Sequence, residues 1–318
     1  MTTPAQIITT PAQIELDILN FREAQMKEGR AEETIRSRIQ SLKQVSKICD
    51  LIDPEIVKTW LADKNNEHNF IKVCTWANKT KTKFIDTYSA YLKFKGIQWK
   101  PPHYTPQNKL PFLPPEGEID LLIASCGHLT ATVLQMLKET GMRIGELTQL
   151  KPEDIDTQRK TVSITPEKGS NPRILPISDK LITMITTLHR DPRAKYTTLF
   201  QCHKDTLRDY LCSQRKAVAQ KLNNPRLQRI TFHTLRHWKG TMEFIDKKDI
   251  MHVKQILGHK TVTSTEIYIN LAEALYLQPN DKFVCKIAHN EKEELELVEA
   301  GFTHVNNRGD LAFYKKHK

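Results

Sequence analysis

Residues 257–270 read LGHKTVTSTEIYIN, with Tyr268 nine residues after His259. Three further motifs precede it in fixed order: GMRIGEL (141–147) with Arg143, KTVSITPEKGSNPRILPIS (160–178) with Lys168, and HTLRHW (233–238) with His233 and Arg236. A tyrosine that attacks a phosphodiester needs cations to hold the phosphate, an acid for the departing oxygen, and a phenol aimed in line. All three kinds of group are present here.

Taken singly, each residue has a plainer reading. Arg143 and Glu146, at i and i+3, could orient one another across a helical turn, but such pairs are usually solvated surface features. The planar fork of arginine nevertheless suits a phosphate, because it donates two parallel hydrogen bonds and stays charged. Lys168 sits in a turn, where a lysine is often merely exposed and where it can also reach a leaving oxygen. His233 and Arg236 share a helix face, so an imidazole that exchanges a proton could work beside an arginine that holds the phosphate. His233 and His237, at i and i+4, could instead bind a metal, yet no acidic or cysteine partner stands at ligand spacing, and His237 reads as a packed neighbour of the catalytic groups. His259 follows the helix-ending Gly258, as a cap or as a donor to a phosphate oxygen. Tyr268 alone would more often be core than nucleophile. Together the six residues point to DNA strand cleavage through a covalent phosphotyrosine.

Composition agrees with an anionic partner. The chain has 318 residues, enough for two domains, and 48 Lys plus Arg against 37 Asp plus Glu give a net charge of +11. Neutralising phosphates releases counterions, so such a surplus favours nucleic acid. From Glu273 onward seven basic residues face eight acidic ones, which places any nucleic-acid footprint before the tail. The six cysteines are scattered without a C-x-x-C pair. No apolar run approaches a membrane span, and the chain reads as a soluble, cytoplasmic protein without membrane partners, nucleoid-associated when bound to DNA.

Periodicity divides the chain into five parts. Residues 1–12 are polar and are expected to be disordered; TTPAQI stands at 2–7 and again at 9–14. Apolar spacings of three and four from Ile14 to Leu92 predict a bundle of four or five helices within 13–100. Six prolines between Pro101 and Pro115 predict a semi-rigid linker, 101–115. In the next part, 116–278, a helix is expected to stop at Gly141, and a hairpin is expected with strands at 161–165 and 173–178. Further helices are expected from about 179 and over 233–246, 250–258 and 264–275. Thr263 and Glu266 have capping-box spacing, which would place Tyr268 in the second turn of its helix. The tail, 279–318, predicts a βαββ-like module whose helix is capped by Asn290 and Glu293 and ended by Gly301.

In order and spacing, GMRIGEL, the KGSNPR turn with ILPI, HTLRH, LGHK and the tyrosine nine residues later resemble the tyrosine recombinases, also called phage-type integrases. The resemblance covers roughly 110–271. It implies a mainly α fold with a small β-hairpin or sheet (α+β) and a two-domain, C-shaped DNA clamp, in which a helical core-binding domain precedes the tyrosine recombinase catalytic domain. Arg143 and Arg236 would clamp the scissile phosphate and His259 would stabilise the transition state. Tyr268 would form a 3′-phosphotyrosyl bond, Lys168 would protonate the 5′-hydroxyl, and His233 would accept a proton or position a group. The broken bond's energy stays in the covalent intermediate, so neither a nucleotide nor a metal cofactor is expected. Double-stranded DNA is the implied partner, with a homotetramer on two duplexes, and integration or excision of a mobile element is the implied outcome. HWKGTMEF (237–244), KKDIMHVKQILGH (247–259) and the KGSNPR turn (168–173) resemble integrases of archaeal mobile elements and viruses. Type IB topoisomerases share the chemistry but place a lysine where this chain has His233. A catalytically silent DNA-binding relative is the other alternative, against which all six positions carry a chemically competent residue.

Overall fold

The computed structural model describes residues 10–65, 67, 72–107, 109–167, 169–188, 197–275, 283–308 and 311–317. The chain forms two compact units, Met1–Lys109 and Leu110–Lys318.

Among the described residues of the first unit, four helices build it: α1 (Pro11–Lys27), α2 (Glu32–Val45), α3 (Pro54–Ala62) and α4 (Asn78–Phe94). The expected disordered start overlaps α1 by two residues. Thr10 accepts the Gln13 amide and Pro11 presets the first turn, so the helix begins at Pro11. Residues 1–9 lie outside the described residues. Asp53 and Pro54 start α3 in the same way, the carboxylate accepting the amides of Glu55 and Ile56. The core joins Phe21, Leu42, Trp60, Phe84, Tyr88 and Tyr91. Each such side chain contributes on the order of 2 kcal/mol through burial. The proline-rich stretch is not a free tether: Tyr104 packs on this core, and its carbonyl accepts the Thr82 hydroxyl.

The second unit opens with α5 (Glu116–Ser125) and α6 (His128–Thr140). Helix α6 is buried around most of its circumference, Thr130, Thr132, Gln135 and Thr140 included, and runs through the core with Val133, Met136 and Leu137 fully buried. Gly141 ends it in the left-handed conformation, φ +62°. Then come α7 (Ile144–Gln149) and three antiparallel strands, β1 (Ile155–Asp156), β2 (Thr161–Ile164) and β3 (Arg173–Pro176), paired in sequence order. The β2–β3 hairpin forms where it is expected, its strands ending one and two residues earlier than the expected bounds, with Val162 opposite Leu175. The two-residue β1 is too short to carry a period and is not foreseen in the sequence.

Helices α8 (Asp179–Leu188), α9 (Lys204–Lys221), α10 (Phe232–Lys247), α11 (Ile250–Leu257) and α12 (Ile267–Leu275) complete the body. Helix α10 packs on α6, α11 and α12. Helix α12 starts later than the capping-box spacing implies, so Tyr268 lies in its first turn. Residues 262–266 instead form a turn in which the amides of Thr265 and Glu266 donate to the Val262 carbonyl.

The tail is βαββ: β4 (Phe283–Ala288), α13 (Glu291–Glu299), β5 (Thr303–Arg308) and β6 (Leu311–His317), with sheet order β4-β6-β5 and its own small core of Ala288, Leu297, Ala312 and Tyr314. Asn290 caps α13 by accepting the Glu293 amide, and Gly301 follows at φ +79°. Among the described residues no helix is long and apolar enough to cross a membrane.

Candidate functional site

Four parts of the second unit bring the chemistry together: the start of α7, the N-terminal half of α10, the end of α11 and the first turn of α12. Arg143 is the N-cap of α7. Its amide donates to Glu146 Oε2 at 2.8 Å and its guanidinium to Glu146 Oε1 at 3.3 Å. Glu146 is not part of a solvated surface pair. It is fully buried and also receives a two-pronged hydrogen bond from Arg173, at 2.7 and 3.3 Å. Burial pushes the Glu146 carboxyl up, but Arg173 and the Arg143 amide outweigh it and hold the group below the usual carboxylate range.

Thr231 caps α10 by accepting the Thr234 amide, which fixes where His233, Arg236 and His237 project. Arg236 is only 2% exposed. Two of its N–H groups donate to the carbonyls of Gly141 and Leu257, each at 2.7 Å, tying the ends of α6 and α11 together. Burial and then the neighbouring Arg143 lower its pKa to about 10, so it remains charged at neutral pH.

Gly258 ends α11 at φ +68° and turns His259 inward. The His259 Nδ1 lies 2.9 Å from the Thr265 hydroxyl, and its ring stacks on Tyr268 with centroids 6.2 Å apart and planes 11° apart. On another side His237 approaches the Tyr268 ring at 5.9 Å and meets His233 edge-on at 4.4 Å. Burial, reinforced by the surrounding cations, pushes both His237 and His259 down to about 4. His233 is lowered by the same causes and keeps an exposed edge. Tyr268 is 2% exposed. Burial raises its phenol pKa, while the charges of Arg236 and Arg143 and a hydrogen bond from Arg236 oppose the rise.

Five of the six expected residues therefore form one cluster, and Lys168 lies outside the described residues. Around the cluster, Arg143, Glu167, Lys204, Arg208, His233 and Arg236 line a cleft of about 650 Å3. A larger groove of about 1210 Å3 runs along α1 and α2 in the first unit and holds none of these groups. Among the described residues of the second unit Glu146 is the only buried carboxylate, facing the guanidinium groups of Arg143, Arg173 and Arg236. The surplus of positive charge fits an anion. Among the described residues no cluster of three or more His, Cys, Asp or Glu is placed to hold a metal ion.

Arg173 and Ser170 were not legible as site residues, although both stand in the KGSNPR turn. Arg173 opens a strand and reads as an exposed edge residue, because its carboxylate partner is 27 positions away. Ser170 reads as an ordinary turn residue, yet its hydroxyl accepts from Arg143 and donates to the Gly258 carbonyl.

Residues 116–274 match the phage integrase family. The chain is 27% identical over 294 residues to the tyrosine recombinase XerD of Staphylococcus epidermidis, covering 81% of this chain and 94% of that protein. Among solved structures it shares its fold with the Tn1549 transposon integrase in complex with transposon right end DNA (15% identity, 90% of this chain and 99% of that chain, TM-score 0.57). It shares it also with a lambda integrase dimer bound to a COC′ core site (12% identity, 80% and 94%, TM-score 0.57). With the family match spanning half its length, the chain belongs to the phage integrase family, as a tyrosine site-specific recombinase.

Proposed function

We propose that this recombinase cleaves double-stranded DNA through a 3′-phosphotyrosyl bond to Tyr268. The observation that carries the reading is the placement of the Tyr268 ring, buried, stacked on His259 and within the field of the charged, buried Arg236. A phosphate entering the cleft meets Arg143 and Arg236, whose combined charge Glu146 only partly balances. As the phenol oxygen forms the new P–O bond, charge on the pentacoordinate phosphorus is met by both guanidiniums and by His259.

His259 is neutral at pH 7. A proton donated by the Thr265 hydroxyl to Nδ1 leaves the other ring nitrogen carrying hydrogen, the tautomer that can donate to a phosphate oxygen. The Tyr268 phenol is protonated at that pH and must lose its proton to attack. His233, whose lowered pKa keeps it neutral, is the proposed acceptor or positioning group. Lys168 is assigned the proton that the departing 5′-oxygen takes up, and the 5′-hydroxyl of a partner strand reverses the step. The bond energy remains in the phosphotyrosine throughout, so the chemistry draws on no nucleotide or metal ion.

In the same reading residues 13–100 serve as the core-binding domain, 101–115 as the linker, 116–278 as the catalytic domain and 279–318 as an appended tail. The active form is a homotetramer on two duplexes. The likeness of HWKGTMEF and the KGSNPR turn to archaeal sequences supports integration or excision of an archaeal mobile element as the outcome.

The test is a nicked suicide substrate carrying a candidate attachment site, incubated with full-length protein in EDTA and resolved on a denaturing gel. A protein-linked DNA band that disappears in Tyr268→Phe, with DNA binding retained, is the expected result. An adduct that persists in Tyr268→Phe removes the nucleophile assignment, and strict dependence on added metal contradicts the mechanism.

A further inference from the structure

We propose that Ser170, in the turn between β2 and β3, is a positioning residue that clips Arg143 to the Gly258–His259 turn and so sets the two phosphate-facing groups relative to each other. This deepens the phosphotyrosine reading and rests on it. Ser170 is 8% exposed, and its hydroxyl is used twice: it accepts from Arg143 Nη1 at 2.8 Å and donates to the Gly258 carbonyl at 2.7 Å. The next residue reinforces the second link. The Asn171 amide donates to the same Gly258 carbonyl at 3.0 Å, and the Asn171 side-chain amide donates to the His259 carbonyl at 3.3 Å.

The clip leaves no slack at Gly258. A Cβ there would lie 2.7 Å from Arg173 Nη1, 2.8 Å from Ser170 Oγ and 2.9 Å from the Asn171 carbonyl oxygen. At the other edge of the turn the Glu167 carboxyl fills the space a Cβ on Gly145 would need, which seats the turn against α7. Arg173 completes the arrangement by binding Glu146. With that carboxylate engaged, less of its charge falls on Arg143, whose side chain stays one-third exposed and directed to the cleft.

An arginine at a helix start carries about 2 kcal/mol of rotamer entropy, which must be lost before it can hold a phosphate. Glu146 restrains Arg143 from one side only. The Ser170 hydroxyl supplies the second restraint and ties it to the element that bears His259. Small displacements of such groups cost rate more than affinity, because the transition state is more demanding of geometry than the bound ground state.

The experiment measures covalent-complex formation on the nicked substrate, at saturating DNA, for full-length wild type, Ser170→Ala and Ser170→Thr, each also in an Arg143→Lys background. Ser170→Ala is expected to slow the step by about tenfold while DNA affinity stays within about twofold and the thermal midpoint hardly moves. Ser170→Thr, which keeps the hydroxyl, should recover most of the rate. In the Arg143→Lys background Ser170→Ala should add less than about a twofold loss, since residues acting as one unit are non-additive. A wild-type rate in Ser170→Ala overturns the proposal. So does an undiminished tenfold loss in the Arg143→Lys background, which would mean that Ser170 acts apart from Arg143. Failure of the wild type itself to form an adduct on DNA that it binds overturns the phosphotyrosine reading and this one with it.

Discussion

Gly240 of α10 lies directly against the ring of Tyr268: a Cβ added there would stand 2.8 Å from both Cε1 and Cζ, and 2.9 Å from Leu257 Cδ1. The nucleophile is thus seated on bare backbone, in the middle of a helix where glycine is otherwise unfavourable by about 1 kcal/mol relative to alanine.

Gly240→Ala should therefore separate stability from catalysis. The gain in helix propensity partly offsets overpacking of about 1–3 kcal/mol, so the urea midpoint should fall only modestly. The ring, however, must shift by several tenths of an ångström or more, and covalent-complex formation should slow by about a hundredfold. A wild-type cleavage rate would show that the tyrosine is not used from the position in which α10 holds it.

Glu146→Gln removes the charge that balances Arg173, whose side chain is 5% exposed. Leaving a buried guanidinium without its counter-ion costs about 3–5 kcal/mol, and equilibrium urea unfolding should show a loss of that order. A loss below about 1 kcal/mol would mean that Arg173 finds water instead.

His237 and His259 give the stability a pH dependence whose sign is determined. Both fall from an ordinary value of 6.5 to about 4 in the folded protein, so between those values the unfolded chain binds more protons. Their contribution is present in full above pH 6.5 and is lost as the pH falls through 4. The thermal midpoint should drop over that interval, and the drop should be shallower in His259→Asn. An equal slope in the variant would mean that His259 is not held neutral by the fold.

Binding to DNA should weaken steeply with salt, with a log–log slope of about −0.9 for each phosphate neutralised. Arg208 lines the cleft without touching Tyr268, so Arg208→Ala should reduce the slope by about one such unit and leave cleavage at saturating DNA nearly unchanged. Titrations at three or more salt concentrations would decide it, and an unchanged slope would place Arg208 off the DNA path.

The helices and the main hairpin were readable because their signals are local. The apolar spacing of α10, Gly141 at the end of α6 and Asn290 at the start of α13 act within one or two turns of their own position. The start of α12 was misread for a tertiary reason: the Thr265 hydroxyl lies at hydrogen-bond distance from His259, and the residues between them fold as a turn. The burial of the Arg143–Glu146 pair was not legible for the same kind of reason, since i, i+3 spacing is identical on a wet helix and on one whose carboxylate is buried against a strand.

Sequence alone determined which functional groups this protein has and in what order, because residue identity and short-range periodicity need no knowledge of the third dimension. Tertiary structure alone decided their electrostatic state. His259 is neutral, Glu146 is ionised and Arg143 is held on two sides because segments 27 to 88 residues apart meet there and exclude water. Desolvation and hydrogen-bond geometry depend on what closes around a group, and no spacing along the chain records that.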